Sequence, residues 1–168
     1  MTREFNRSRP DVDVDVGTLD ASTVEAIGAY TRSEAFDGDA YVAPSTIREA
    51  GDGLFARRRL ESGAILRGVT YGGDVLTLGE AMKMDDGKKD YVMAMHFNVH
   101  VDARAHLGYL GRFANDARGT GAEPNATFVK DVPSRSARLK TLRMVERGEE
   151  LLVSYGDGYW RARERQQQ

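Results

Sequence analysis

The chain has 168 residues, 40% apolar and 30% charged, with a formal net charge of −2, enough for one domain with its own core. That charge argues against a broad basic nucleic-acid face, and no direct sequence-specific nucleic-acid contact is expected. Cysteine is absent, which excludes disulfides and thiolate zinc clusters, and no apolar run approaches the roughly 20 residues a membrane span needs, so an intracellular location with no membrane contact is expected.

Residues 1–20 are polar and charged, with an Asp-Val alternation from Asp11 to Val16, and read as a flexible, solvated arm; an edge strand is the alternative. Val24, Ile27 and Tyr30 recur at helical spacing, predicting a short helix from Ser22 to about Arg32 within an N-terminal extension of residues 21–40. Tyr41 to Val42, Gly53 to Arg57 and Ala64 to Val69 are short β-rich pieces broken by Gly and Pro. Leu78 to Met84 has helix formers. Tyr91 to Phe97 and Val99 to Asp102 read as a strand pair around a turn. This would put His96 and His100 on one sheet side; with His106 they read as surface or hydrogen-bonded residues, and no metal is expected. Leu107 to Phe113 is an apolar turn or short helix, and Asp116 to Pro124 a glycine-containing loop. Asn125 to Lys130, Ala137 to Met144 and Leu151 to Tyr155 close the domain as strands, and residues 161–168 form a charged tail. The fold class is mostly β with short helices, a single domain over residues 21–160.

Four blocks stand out in order: Gly51-Asp52-Gly53-Leu54-Phe55-Ala56, Tyr71-Gly72-Gly73, Arg112-Phe113-Ala114-Asn115 with Pro124-Asn125, and Gly148-Glu149-Glu150-Leu151-Leu152-Val153-Ser154-Tyr155-Gly156. Each has an ordinary reading. Paired glycines before a strand are turn chemistry, an Asn can cap a polar loop, and a tyrosine ending a strand is commonly core or rim. Glycines also let backbone approach a ligand closely, but no helix follows Gly53, so a Rossmann reading fails.

Together the blocks resemble those of SET-domain protein lysine methyltransferases, over roughly Tyr41 to Trp160. The ending Ser-Tyr-Gly-Asp-x-Tyr-Trp is similar to that of the compact, zinc-free SET proteins of large algal viruses. The resemblance implies a β-clip with a knot-like, threaded C-terminal segment. It also implies S-adenosylmethionine as cofactor, S-adenosylhomocysteine as product and a protein substrate, a histone tail first. A nuclear site of action (the host nucleus if viral) and a possible homodimer come with it. By resemblance Tyr155 is the catalytic tyrosine, with Tyr71 and Tyr109 beside it. Gly51, Asp52, Gly53, Arg112, Phe113, Asn115 and Asp116 line the cofactor. Asp116 stands where the family carries histidine, and Pro124-Asn125 arrive about four residues late. Trp160 covers the adenine, or packs the C-terminus onto the domain. Tyr91, Phe128 and Val153 border the lysine slot, although Tyr91 also fits a core strand position. Relatives carry Phe or Tyr at the position of Val153; a valine leaves room for di- or trimethylation.

Three alternatives belong to other classes. A SET-like module could bind without catalysing, given Asp116 and the long loop. A non-histone lysine could be the target. A β-clip module of the SAF type, similar over Leu54 to Gly63, would lack the Asn-Pro-Asn and Tyr-Gly blocks.

Overall fold

Thr31 explains how the N-terminal extension attaches. In the computed structural model, which describes residues 21–166, helix α1 (Ala21–Arg32) buries Gly28 and Thr31 and packs Val24 and Ile27 on the core. The Thr31 hydroxyl donates to the Ile27 carbonyl (2.9 Å) and accepts the Val42 N–H (3.0 Å). Arg32 donates to the Val42 carbonyl at 2.9 Å. The inner face is therefore Val24, Ile27, Gly28 and Thr31, while Tyr30 points outward, 56% exposed; the apolar spacing suggested Tyr30 because it ignored a threonine that can satisfy a strand edge. The expected arm, residues 1–20, lies outside the described residues.

Strand β1 (Ala40–Pro44) pairs antiparallel with β2 (Asp52–Ala56), Tyr41 opposite Phe55. Strand β3 (Ile65–Tyr71) leads to β4 (Asp74–Leu76) and to α2 (Leu78–Lys83). Helix α2 opens on a reciprocal cap: the Thr77 hydroxyl accepts the Glu80 N–H, and the Glu80 carboxylate accepts the Thr77 N–H at 2.8 Å, satisfying two of the helix's orphan donors. A 3-10 turn (Asp86–Tyr91) precedes the hairpin β5 (Val92–His96) and β6 (Val99–Asp102), which joins β4 in the order β4-β6-β5. A second 3-10 turn (Leu110–Phe113) delivers β7 (Asn115–Asp116). Strands β8 (Ala126–Asp131) and β9 (Ser136–Thr141) complete the sheet β3-β9-β8. The result is mostly β with short helices, as the sequence predicts.

The ending differs from its expectation. Strand β10 is only Leu152–Val153, paired parallel with β7, because Gly156 takes φ +83° and turns the chain away. Residues read as the start of a charged tail belong to helix α3 (Asp157–Gln166). It is seated by Arg163, whose guanidinium pairs with Asp90 and lies 5.4 Å from the Tyr159 ring centre.

The main core gathers Val42, Leu54, Leu60, Leu66, Val69, Leu139, Val145, Leu151 and Val153. A smaller cluster holds Tyr71, Met95, Val101, Ala103 and Ala137, and half-buried Phe128 packs on both.

Candidate active site

Three of the four sequence blocks meet where β10 pairs with β7, and the fourth, through Tyr71, faces the cavity beside them. Asn125 makes the pairing possible. It is 1% exposed; its Oδ1 accepts the Leu152 N–H at 2.8 Å and its Nδ2 donates to the Glu150 carbonyl at 2.7 Å. Its own N–H donates to the Leu152 carbonyl at 3.0 Å. One side chain thus supplies the backbone partners that a two-residue strand leaves over.

Glu150 is the second anchor, and sequence alone gives it no role. Its carboxylate accepts the Ser45 hydroxyl (2.7 Å), the Thr46 N–H (2.8 Å), the Thr46 hydroxyl and the Asn115 Nδ2 (3.2 Å). Burial pushes the acid up, but the bonds from Thr46, Ser45 and Asn115 outweigh it and hold the carboxyl below its usual range. Gly53 is explained here: a Cβ would lie 2.3 Å from Glu150 Oε1. Gly51 differs. It has φ +72° and open space where a side chain would stand. The Asn115 Nδ2 also donates to the Asp52 carbonyl at 3.1 Å, so Gly51, Asp52, Gly53 and Asn115 form one cluster.

Beyond Val153 the chain leaves the ladder and presents Tyr155. Its phenol donates to the Ala114 carbonyl at 2.9 Å, and its N–H donates to Asp116. Asp116 also accepts the Trp160 indole N–H at 3.3 Å. Trp160 has the Arg118 guanidinium 5.2 Å from its ring centre and Tyr159 edge-on at 5.2 Å.

Tyr155 opens onto a cavity of about 780 Å³ whose walls include Tyr71, Tyr91, Phe128, Arg112, Met82 and Ala114. Tyr71 stands edge-on to Phe128, ring centres 5.5 Å apart, and donates its phenol proton to the Tyr91 carbonyl. Burial pushes both phenols well above their ordinary range, with Tyr155 and Asp102 adding to the effect at Tyr71, and Tyr159 and Asp116 at Tyr155. Both stay protonated near neutral pH.

Arg112 is 7% exposed, its guanidinium 4.3 Å from the Tyr91 ring centre and 5.3 Å from that of Phe113. Its Nε has no hydrogen-bond partner, and burial pushes its pKa down. Its side chain thus lines the cavity rather than joining the Gly51–Asn115 cluster.

Three expected residues sit elsewhere. Tyr109 fills the space beside Gly72, where a Cβ would come within 2.7 Å of its ring, and does not line the cavity. Val153 is fully buried in the main core, and Phe113 is 8% exposed within it. Sequence reasoning missed Asp90, Lys130, His100 and Arg163, all on the cavity wall; they come from separate elements and carry no shared spacing.

A family model for the SET domain matches residues 51–156. Among solved structures the chain is similar to a humanised mutant of the Chaetomium thermophilum Polycomb Repressive Complex 2 bound to the inhibitor GSK343, at 22% identity and a TM-score of 0.58, covering 70% of this chain and 15% of that one. It is similar also to Chaetomium thermophilum Polycomb Repressive Complex 2 bound to GSK126, at 21% identity and a TM-score of 0.59, covering 77% of this chain and 17% of that one. The chain therefore spans less than a fifth of the length of these structural neighbours, and the likeness speaks for the fold. The family match takes in all four sequence blocks and more than half of the chain: the protein belongs to the SET-domain family.

Proposed function

We propose that the chain is an S-adenosylmethionine-dependent protein-lysine methyltransferase. The observation that carries this is Tyr155, held on the Ala114 carbonyl at the end of β10 and facing Tyr71, Tyr91 and Phe128 across one cavity. When bound, S-adenosylmethionine supplies a methyl group on a positively charged sulfur. The residues present fit such a molecule. Gly51 leaves open space at its backbone. Asn115 has its amide protons committed to Glu150, Ser45 and Asp52, leaving its carbonyl oxygen for an ammonium group. Trp160 offers an aromatic surface beside Asp116.

The chain's own residues would work as follows. Near neutral pH the substrate lysine is an ammonium without a lone pair. Walls made of Tyr71, Tyr91, Phe128 and Tyr155 disfavour that charge by desolvation, so the proton leaves to water. A bound S-adenosylmethionine would supply the methyl group, its S–C bond breaking as the N–C bond forms and the electron pair returning to sulfur. The Tyr155 phenol oxygen and the Ala114 carbonyl would hold the methyl end of the cofactor through weak C–H···O contacts, and the aromatic walls would keep the neutral amine in line with it.

A histone tail is our first substrate, with di- or trimethylation. The methylation state follows the family resemblance alone, since Val153 is buried in the main core and does not border the cavity. We read the C-terminal segment as threaded, supported by Leu151 donating to the Leu54 carbonyl at 2.7 Å while Leu152 and Val153 pair with β7. Nuclear action and homodimerisation follow the family resemblance alone.

The test is methyl transfer from labelled S-adenosylmethionine to core histones and nucleosomes, with mass spectrometry of the products. Lysines carrying two or three labelled methyls are the expected result. Cofactor binding without transfer to any protein would sink the enzyme reading in favour of a silent module.

A further inference from the structure

Tyr155 lies beyond the last paired residue of its strand. The β7–β10 ladder ends at Val153 opposite Asp116, and Gly156 turns the chain away at φ +83°. Strand pairing does not reach the two residues between. What fixes Tyr155 is a short stretch of β7 and its lead-in, which grips it twice. The Ala114 carbonyl accepts its phenol proton at 2.9 Å, and the Asp116 carboxylate accepts its N–H. The same Asp116 Oδ2 accepts the Trp160 Nε1–H at 3.3 Å, while Oδ1 accepts the Arg118 N–H at 2.6 Å. One carboxylate therefore ties β7, the exit from β10 and the first turn of α3 together. Hydrogen bonds to an ionised acceptor are the stronger kind.

We propose that Asp116 is the positioning residue of the reaction, a clamp that sets Tyr155 on its carbonyl and orients Trp160 at the same time. The proposal rests on the methyltransferase reading and adds to it a link between the tyrosine and the aromatic end of the cofactor surface. Removing the carboxylate frees the Tyr155 backbone, and the phenol loses register with the methyl carbon. A misplacement near 1 Å is enough to cost about 100-fold in rate.

Trp160 is the single tryptophan of the chain, so its fluorescence reports on the clamp without any substrate. Asp116→Ala and Asp116→Asn are compared with the unaltered protein by tryptophan emission and anisotropy, and by kcat and KM with core histones and labelled S-adenosylmethionine. Asp116→Ala is expected to shift emission to longer wavelength, lower the anisotropy, and reduce kcat about 10- to 100-fold with KM for histone changed less than about threefold. Asn keeps one acceptor oxygen and recovers part of both signals; it carries the test alone if the alanine variant fails to fold. Unaltered fluorescence in the variants overturns the clamp, as does a loss confined to the KM for S-adenosylmethionine. If the unaltered protein transfers methyl to no protein, the methyltransferase reading fails, and the fluorescence arm still decides the clamp.

Discussion

Glu150 and Tyr155 stand five residues apart on one segment and are held in opposite ways. Glu150 is nearly enclosed, and its carboxylate receives donors from Ser45, Thr46 and Asn115. Tyr155 is 37% exposed, past the end of its strand, kept in place by Ala114 and Asp116. The first region spends its polar groups on one another and fixes the pairing of β7 and β10. The second keeps a phenol turned into a cavity. A single sequence block thus contains an architectural half and a chemical half, and mutations should separate them.

The largest effect is expected at the architectural half. Glu150→Ala leaves buried donors at Ser45, Thr46 and Asn115 unmet and should cost about 3 to 5 kcal/mol in denaturant unfolding. Glu150→Gln tests the charge. The folded acid titrates below its unfolded value near 4.3, so its contribution is complete above that value and is lost as pH falls through the folded one. The stability gap between the unaltered protein and Glu150→Gln should therefore shrink from about pH 6 to about pH 3. A constant gap would mean that the carboxylate's charge adds nothing to the pairing of β7 and β10.

Tyr155→Phe should lower kcat about 100-fold while leaving the melting temperature unchanged. Substantial destabilisation by this variant would erase the distinction between the halves. Next come the two glycines of one block. Gly53→Ala drives a Cβ into the pinned Glu150 carboxylate and should cost roughly 2 kcal/mol, against about 1 kcal/mol for Gly51→Ala, where only the left-handed backbone resists. Equal costs would show that the carboxylate yields freely. The smallest effect is at the surface. Glu164→Gln removes the exposed pair with Arg118 and should change stability by less than about 0.5 kcal/mol.

Much of the fold was legible in the residues. The β-rich pieces broken by Gly and Pro, the helix formers of α2 and the Tyr91–Asp102 strand pair appear within a few residues of where periodicity places them. The site was legible as letters but not as partners. Tyr155, Tyr71, Tyr91 and Phe128 meet around one cavity, whereas Tyr109 goes to Gly72 and Val153 to the core. Spacing reports distance along the chain, and those residues are sorted by which sheet covers them.

Local chemistry therefore determined the strands, the capped helix, the glycine positions and the tyrosine at the strand's end, because each depends on neighbours a few residues away. Tertiary structure alone decided what Glu150, Asn125 and Asp116 do. Apart from Arg118, two residues beyond Asp116, their partners lie between 24 and 105 residues away, and a carboxylate or amide takes its role from whichever donors the fold brings within hydrogen-bonding distance.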